Sequence, residues 1–308
     1  MPDQPYTSII YYAIALDPVH IGTGGYRLGR VDNTILREPG TNIPKIPGTS
    51  MSGVARTYTA MQSTYQKNNQ TKYKYPDCAG KGGEDGSGHC GQYNCPVCVT
   101  YGFSKSGSSF QGLAQFSDVR ILFFPVYSMV GPVWVTTPSL LKEHGINDAI
   151  LSNEDKIKLV KGFTVEGNRI NLGWLMLELE SEDFFDIGSS LNRSCIPTEI
   201  LKRVVLLSEK LFSRIVNDNL EVRTSVAINP ATGAAESGAL YTYEAIPRTT
   251  ILWFNVVYSK PDFFKINNQT PTVNPQPEVE KGLKIIEALG IGGMGTRGMG
   301  RMKVLNLK

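Results

Sequence analysis

Residues 6–16 read YTSIIYYAIAL, and this stretch, together with the loop and helix after it, decides the fold class. It is rich in β-branched and aromatic residues and is too short for a typical helix before Pro18, so it predicts a buried strand. Residues 20–29, HIGTGGYRLG, predict a glycine-rich loop. From Ser50 onward, SMSGVARTYTAMQSTYQ has apolar residues at helical spacing, with Ser50 as the N-terminal cap. The chain therefore opens as strand, loop and helix.

The middle of the chain predicts further strands and a second helix. Residues 113–128, LAQFSDVRILFFPVYS, and 174–181, WLMLELES, predict strands. Residues 199–216 repeat Ile200, Val204, Leu207, Leu211 and Ile215 at the spacing of an amphipathic helix, which would pack on a sheet.

The last third of the chain predicts a hairpin, a helix and a final strand. Residues 222–259 form two extended arms around a turn-rich tip, NPATGAAESG, at 229–238. After a linker at 260–277, the stretch EVEKGLKIIEALG predicts a helix, and a glycine-rich loop leads to the last strand. The order of elements favours an α+β class in which helices cover one face of a ferredoxin-like, or RRM-like, sheet.

Composition sets bounds on function. The chain has 308 residues, of which 41% are apolar, enough for a substantial core. Its 31 Lys and Arg against 28 Asp and Glu give a net charge of +3, so any phosphate-binding surface must be local. There is no signal-peptide pattern and no apolar run long enough for a bilayer, so we expect a cytoplasmic protein that does not contact a membrane.

Four of the five cysteines lie in one segment, CAGKGGEDGSGHCGQYNCPVC, as Cys78, Cys90, Cys95 and Cys98. Eleven, four and two residues separate them in turn, and a closed set of four thiolates is typical of a structural zinc site. His89 is an alternative ligand to Cys90. The other interpretations are a catalytic zinc, for which no coordination position is left open, and reduced free thiols.

Two loops are suited to anions. In KIPGTSMSGVAR, Lys45, Ser50, Ser52 and Arg56 surround a helix N-terminus, where free N–H groups favour negative charge. The plainer interpretation is a serine cap and a solvated arginine. The stretch GIGGMGTRGMGR offers small residues with Arg297 and Arg301, but it follows a helix and precedes a strand, which excludes the usual nucleotide-cofactor motifs. By itself it is equally compatible with an ordinary tight connection.

Asp32, in GRVDNTILREPG, stands between a glycine-rich turn and a short apolar run. On residue chemistry alone, the simplest interpretation is a loop aspartate that bonds to its own backbone. The three histidines, His20, His89 and His144, form no recognisable catalytic group, which disfavours a histidine-based ribonuclease.

Taken together, these motifs resemble a known family. HIGTGGYRLGRVDNTILREPGTNIPKIPGTSMSGVAR, FSDVRILFFPVYSMVGPVWVTTPSLL, NPATGAAESGALYTYEAIPRTTIL and GIGGMGTRGMGRMKV resemble, in that order, the backbone subunits of type III-B CRISPR effector complexes, which are members of the RAMP superfamily. The type III-A backbone subunits share much of the pattern, including a metal-binding insertion, and are the near alternative. The cysteine segment departs from many type III-B relatives.

The resemblance implies an architecture and partners. It implies one RAMP domain over 1–308 with an RRM-like palm, a zinc-binding insertion at 67–104 and a projecting β-hairpin thumb at 222–248. Members stack as a helical filament along a CRISPR guide RNA, contact a target RNA and join other type III effector subunits.

The resemblance also implies roles for single residues. Asp32 matches the family's catalytic aspartate, and Mg²⁺ or Mn²⁺ would support cleavage of target RNA, with Asp32 either holding the ion or orienting the 2′-hydroxyl. The guide-RNA contacts implied are Lys45, Ser50, Ser52, Arg56, Arg297 and Arg301. The expected function is an endoribonuclease subunit, and the alternative is a non-catalytic RNA-binding scaffold of the same kind of complex.

Overall fold

The computed structural model describes residues 4–24, 31–80, 86–180, 184–187, 191 and 195–307. Parts of three predicted elements lie outside these ranges: the loop at 20–29, the insertion at 67–104 and the end of the strand at 174–181. Among the described residues, no helix combines the length and apolar character that a bilayer span requires.

Strands and short helices alternate along the chain. The strands are β1 (Tyr6–Ala15), β2 (Thr64–Lys67), β3 (Gln70–Tyr73), β4 (Phe103–Lys105), β5 (Ser108–Phe110), β6 (Ala114–Phe116), β7 (Arg120–Val126), β8 (Val133–Thr136), β9 (Lys158–Leu159), β10 (Arg169–Leu172), β11 (Leu175–Glu178), β12 (Val204–Leu206), β13 (Glu221–Ile228), β14 (Ala235–Ala245), β15 (Ile251–Ser259) and β16 (Met302–Val304). The α-helices are α1 (Gly48–Gln62), α2 (Pro96–Tyr101), α3 (Pro138–Glu143), α4 (Thr198–Leu201), α5 (Glu209–Asp218) and α6 (Pro275–Leu289).

One large sheet organises the molecule. Its strands lie in the order β16-β1-β15-β7-β8-β12-β9, with β6 also paired to β15. The β1–β15 pair is antiparallel and runs from Tyr6 opposite Ser259 to Ile14 opposite Ile251. Alternating burial along β1 follows from the period of two in a strand, which points successive side chains to opposite faces.

Helices α1 and α6 pack side by side and share the core of this sheet. Their buried residues, among them Met51 and Leu283, join the same apolar cluster as Tyr11 and Phe254, whose rings stack at 5.5 Å. The two helices approach closely at Gly282, where a β-carbon would lie 2.4 Å from the carbonyl oxygen of Ala55. Only glycine fits at this contact, because there is no room for a β-carbon.

Three sequence predictions need correction. Residues 199–216 do not form one helix, because α4 ends at Leu201 and β12 follows before α5 begins. The four apolar residues at 204–207 are fully buried, and the first three of them form β12. Ser208 then caps α5, because its hydroxyl accepts the N–H of Leu211. The last helix begins at Pro275, inside the predicted linker, because Asn274 caps it.

The third correction concerns the predicted hairpin. Strands β13 and β14 pair antiparallel from Glu221 opposite Ala245 to Ile228 opposite Ala235, so the connection is shorter than the predicted tip. The second arm is also interrupted, because residues 246–250 separate β14 from β15 and include Pro247. The hairpin therefore lies outside the main sheet, as a two-stranded sheet of its own.

Candidate functional site

The loop that carries Asp32 lies along the edge of hairpin strand β14. Asn33 forms an isolated parallel bridge with Tyr243. The N–H of Asn33 donates to the carbonyl of Thr242 at 3.0 Å, and the N–H of Glu244 donates to the carbonyl of Asn33 at 3.0 Å. Backbone pairing therefore fixes Asp32 against the hairpin.

The carboxylate of Asp32 is exposed and held by a single residue. Its Oδ2 accepts hydrogen bonds from the backbone N–H of Thr242 at 2.8 Å and from the hydroxyl of Thr242 at 2.9 Å. The backbone bond, followed by the hydroxyl bond, holds the pKa of Asp32 below its usual value. Asp32 therefore stays ionised in neutral and mildly acidic solution, instead of bonding only to its own loop.

A buried ion pair anchors the same loop. Arg37 Nη2 lies 2.7 Å from Glu244 Oε1, and both side chains are largely buried. Arg37 Nε donates to Asn217 Oδ1 at 2.8 Å, which connects the loop to α5. Sequence reasoning gave neither Arg37 nor Glu244 a role, because the partners are 207 residues apart and neither belongs to a local motif.

The glycine-rich loop brings Arg297 to the hairpin. Met294 at φ 65° and Gly298 at φ 76° flank a short 3-10 turn that ends at Arg297. Arg297 Nη1 donates to the hydroxyl of Tyr243 at 2.8 Å and to the hydroxyl of Tyr241 at 3.1 Å. These bonds join the end of the chain to β14.

His20 contacts both β14 and the glycine-rich loop. Its Nδ1 lies 2.6 Å from the carbonyl oxygen of Glu244, and its own carbonyl accepts the N–H of Gly293 at 3.0 Å. A β-carbon at Gly292 would lie 2.4 Å from that carbonyl, so the loop approaches His20 only with glycine there. His20 thus connects β14 to the glycine-rich loop through contacts that are distant in sequence.

These elements enclose an open cleft of about 540 Å³. Asp32 and Arg297 both line it, one from the loop after β1 and one from the loop before β16. The other lining residues are Asn33, Gly238, Leu240, Tyr241, Tyr243 and Met294. A fixed anion, a cation, two phenols and two apolar side chains thus line one space, which suits a ligand with phosphate, hydroxyl and base surfaces.

The N-terminus of α1 differs from the prediction. Ser50 is not its cap, because the helix begins at Gly48 and Pro47 occupies the cap position. Asp118 takes that place: its Oδ1 accepts the N–H of Gly48 at 2.8 Å, and its Oδ2 lies 2.5 Å from Lys45 Nζ. A carboxylate of the chain itself therefore already accepts one N–H at the helix start where an external anion was expected.

The remaining predicted RNA contacts lie apart from the residues that line the cleft. Ser52 is half-buried in the first turns of α1. Arg301 forms a two-pronged ion pair with Asp17, with Nε 2.5 Å from Oδ2 and Nη2 3.1 Å from Oδ1. Of the six residues, only Arg297 belongs to the cleft lining.

Arg56 points toward the cysteine segment. Its Nε donates to the carbonyl of Cys78 at 2.9 Å, Nη1 donates to the carbonyl of Tyr101 at 3.4 Å, and Nη2 lies 3.2 Å from His89 Nδ1. The guanidinium thus ties α1 to the segment that follows β3.

The four cysteines of that segment converge. The sulfur atoms of Cys78, Cys90, Cys95 and Cys98 all lie within 4.8 Å of one another. Cys95 caps α2 with its sulfur, which accepts the N–H of Cys98 at 3.5 Å. Four convergent soft ligands fit a tetrahedral zinc ion. His89 is not one of the four, and its Nδ1 faces Arg56.

Positive charge lies next to the sulfurs. Lys74 Nζ is 3.7 Å from Cys90 Sγ, and Lys105 Nζ donates to the carbonyl of Cys90 at 3.1 Å. A zinc ion with four thiolates carries a net negative charge, so these ammonium groups and Arg56 would balance it.

Comparisons with known proteins support a common fold. The CRISPR system Cmr endoribonuclease Cmr4 of Pyrococcus furiosus is 24% identical over 314 residues, which cover 94% of this chain and 92% of the relative. A type III-B Cmr-beta complex bound to cognate target RNA contains a chain that superposes with a TM-score of 0.65 at 15% identity, over 98% of both chains. Oligomeric Cmr4 from Pyrococcus furiosus superposes with a TM-score of 0.58 at 20% identity, over 97% of this chain and 98% of the other.

The family itself follows from the sequence profile. The profile of the RAMP superfamily matches residues 13–303, which run from β1 to β16 and include the cleft, the cysteine cluster and the hairpin. This chain therefore belongs to the RAMP superfamily.

Proposed function

We propose that this chain is the backbone subunit of a type III-B CRISPR effector complex and that it cleaves target RNA complementary to a bound guide RNA. Copies of the chain would stack along the guide with other effector subunits, so that cuts fall at regular intervals. The proposal draws on the 24% identical relative, a Cmr endoribonuclease, and on a structural neighbour from a type III-B complex bound to target RNA.

The observation that carries the proposal is that Asp32 and Arg297 line one cleft. Cleavage of RNA through the adjacent 2′-hydroxyl requires that this oxygen, the phosphorus and the leaving oxygen be aligned. A fixed guanidinium binds the phosphate and favours the extra negative charge of the transition state. A fixed carboxylate orients the hydroxyl or holds an ion.

A divalent cation, Mg²⁺ or Mn²⁺, belongs to the proposal. Asp32 fits such an ion as one ligand, because hard cations prefer oxygen and this carboxylate is exposed and ionised. When bound, the ion would stabilise negative charge on the phosphate. Further oxygens would come from the RNA, because Asp32 is the only carboxylate among the described residues that line the cleft.

The architecture suits an RRM-like palm with a thumb. The strand order β16-β1-β15-β7, with α1 and α6 packed together, is that of a ferredoxin-like β-α-β-β-α-β unit. Residues 222–248 cover most of the hairpin and would form the thumb. One side of the hairpin exposes Val222, Val226 and Leu240, which are 40%, 41% and 67% exposed and suit contact with nucleic-acid bases.

Guide-RNA contacts are proposed on the backbone, because one protein must accept many guide sequences. The family resemblance also implies a guide contact for Arg297, but its guanidinium is exposed in the cleft and is assigned above to the phosphate of the target RNA. Lys45, Ser50, Ser52 and Arg301 are further candidates, although Lys45 and Arg301 would have to share their carboxylate partners with phosphate. Arg56 would reach RNA only by giving up its contacts with the cysteine segment, so we assign it primarily to that segment.

We also propose a structural zinc ion bound by Cys78, Cys90, Cys95 and Cys98. Two short hairpins, β2–β3 and β4–β5, overlap the two ends of the segment 67–104. A small apolar cluster that includes Val97, Val99 and Phe103 packs around the cysteines. A metal would add to the stability that this cluster provides.

The function is tested with assembled particles. Subunits, guide RNA and end-labelled complementary RNA are combined with Mg²⁺ or Mn²⁺, and the product lengths are measured. We expect an evenly spaced ladder that disappears with a chelator. Asp32→Asn keeps the shape of the side chain and an acceptor for Thr242, and we expect it to abolish cleavage without affecting assembly.

The matched control is Asp155→Asn, at an exposed aspartate outside the cleft lining, which should leave the ladder unchanged. Undiminished cleavage by Asp32→Asn would remove Asp32 from the site. Assembly on guide RNA without cleavage by the unaltered chain would instead identify a passive scaffold.

A further inference from the structure

The cleft contains a second group able to accept a proton. RNA cleavage by attack of the 2′-oxygen on the adjacent phosphorus requires a base that accepts the 2′-hydroxyl proton. Asp32 is a weak base, because Thr242 stabilises its ionised form. No histidine is among the described residues that line the cleft. His20 contacts Glu244, His89 contacts Arg56, and His144 lies buried against Tyr12.

Two phenols share one cation in this space. Arg297 Nη1 donates to both hydroxyl oxygens, at 3.1 Å for Tyr241 and 2.8 Å for Tyr243. The two rings meet edge to face with centroids 5.1 Å apart. A phenol oxygen that accepts from a guanidinium loses its proton more readily, because the cation stabilises the phenolate.

The two phenols differ in access. Tyr243 is only 5% exposed and packs edge-on against His20, whereas Tyr241 is half-buried at the cleft wall. The hydrogen bond from Tyr243 and then that from Arg297 lower the pKa of Tyr241 to about 8. Burial raises the pKa of Tyr243. The accessible phenol is therefore also the one that ionises first.

Three other polar or charged residues lie near Tyr241: Arg223, Ser225 and Asp32. Arg223 and Tyr241 both line a second groove, and Arg223 Nε lies 2.6 Å from Glu221 Oε1. Ser225 lies directly opposite Tyr241 on β13. Asp32 lines the same cleft, and its negative charge is fixed above mildly acidic pH, so it does not change near the pH at which Tyr241 titrates.

We infer that the phenolate of Tyr241 is the general base of the proposed RNA cleavage, with Arg297 holding it ionised next to the phosphate. The phenolate takes the 2′-hydroxyl proton as the 2′-oxygen bonds to phosphorus. The bond from phosphorus to the 5′-oxygen breaks, and that oxygen takes a proton from water. The products are a 2′,3′-cyclic phosphate and a 5′-hydroxyl. This inference rests on the proposed function.

The test is a pH profile of single-turnover cleavage by assembled particles. For the unaltered chain we expect the rate to rise about tenfold per pH unit and to level off near pH 8. Tyr241→Phe removes one oxygen, and we expect a loss of about 10²- to 10⁴-fold together with the loss of the rise. Tyr243→Phe removes the main hydrogen bond that favours the phenolate, so the rise should move to higher pH.

Tyr127→Phe is the control, because Tyr127 is 72% exposed and is not part of the cleft lining. A wild-type rate and profile for Tyr241→Phe would overturn the inference and leave the ribonuclease proposal intact. Particles that bind target RNA and never cut it would overturn both.

A second measurement does not depend on cleavage or on the variant folding. Ultraviolet difference spectra of the unaltered chain should show one phenol that ionises near pH 8, well before ordinary tyrosines at about pH 10. Absence of any such early transition would overturn the inference even if Tyr241→Phe failed to assemble.

Discussion

Asp32 and Thr242 are 210 residues apart in the chain, yet they are joined by three hydrogen bonds. The hydroxyl of Thr242 donates to the carboxylate and accepts the N–H of Asp32, while the N–H of Thr242 donates to the same carboxylate oxygen. The position and the charge of Asp32 are thus set by the hairpin, and any movement of the hairpin would carry Asp32 with it.

Thr242→Val should raise the acid limit of cleavage, which is the pH below which protonation of Asp32 reduces the rate. The change removes the hydroxyl bond but keeps the backbone bond, so the pKa of Asp32 should move up toward its usual value. Protonation of Asp32 adds to the tenfold fall per pH unit that Tyr241 causes, so the fall should become steeper at a higher pH in the variant than in the wild type. Rates between neutral pH and the acid limit measure this shift.

Thr224→Val is the matched control for that experiment. Thr224 lies directly opposite Thr242 on β13, so it carries the same change of side chain in the same hairpin. Its acid limit should equal that of the wild type. An equal shift in both variants would show that the hairpin, and not the bond to Asp32, is responsible.

Removal of one cluster cysteine should release zinc and weaken the fold. Elemental analysis of the wild type should give about one zinc ion per chain. Cys98→Ser should abolish this zinc and lower the melting temperature, because the segment after β3 depends on the metal. Cys195→Ser, at the exposed cysteine outside the cluster, should do neither. A zinc-free wild type that is fully folded would contradict the assignment.

Arg56→Gln should loosen the cysteine segment more than it weakens RNA binding. The change removes the cationic partner of Cys78, Tyr101 and His89, so we expect faster loss of zinc to a chelator and a loss of about 1–3 kcal/mol of stability. Arg214→Gln, at a 68% exposed side chain, serves as the control. Unchanged zinc retention with clearly weaker guide binding would instead support the RNA contact that the family resemblance implies for Arg56.

Gly282→Ala should destabilise the protein by about 1–3 kcal/mol, because the new methyl group would overlap the backbone of α1 at Ala55. Gly53→Ala, on α1 itself, meets no atom within 4 Å and should stabilise by about 0.5–1 kcal/mol through helix propensity. Denaturant unfolding measures both. Equal effects of the two changes would mean that α1 and α6 do not approach closely at Gly282.

Local pattern predicted the elements whose signals are local. The strand at 6–16 was predicted from its β-branched and aromatic residues, the helix that follows Ser50 from the helical spacing of its apolar residues, and the hairpin after 222 from its turn-rich tip. The cysteine cluster was found because ligand spacing is itself a local property. The helix predicted at 199–216 was wrong, because four consecutive buried residues satisfy a strand as well as a helix face.

The contacts that hold the site were beyond such reasoning. Thr242 and Glu244 lie on an ordinary-looking strand, and only its pairing with a loop far earlier in the chain makes them partners of Asp32 and Arg37. Tyr241 on the same strand meets Arg297 only because the later glycine-rich loop packs against the hairpin. The same holds for Asp118, which occupies the start of α1 from 70 residues away. The resemblance to a family, and not periodicity, was what pointed to Asp32.

The distances along the chain that separate Asp32, Thr242 and Arg297 also order events during synthesis. On a translating ribosome, the loop with the aspartate emerges long before the strand that holds it, and the arginine emerges later still. No nascent fragment that stops before the glycine-rich loop contains the complete pocket. The proposed cleavage of RNA therefore requires that the glycine-rich loop has left the exit tunnel and packed against the hairpin.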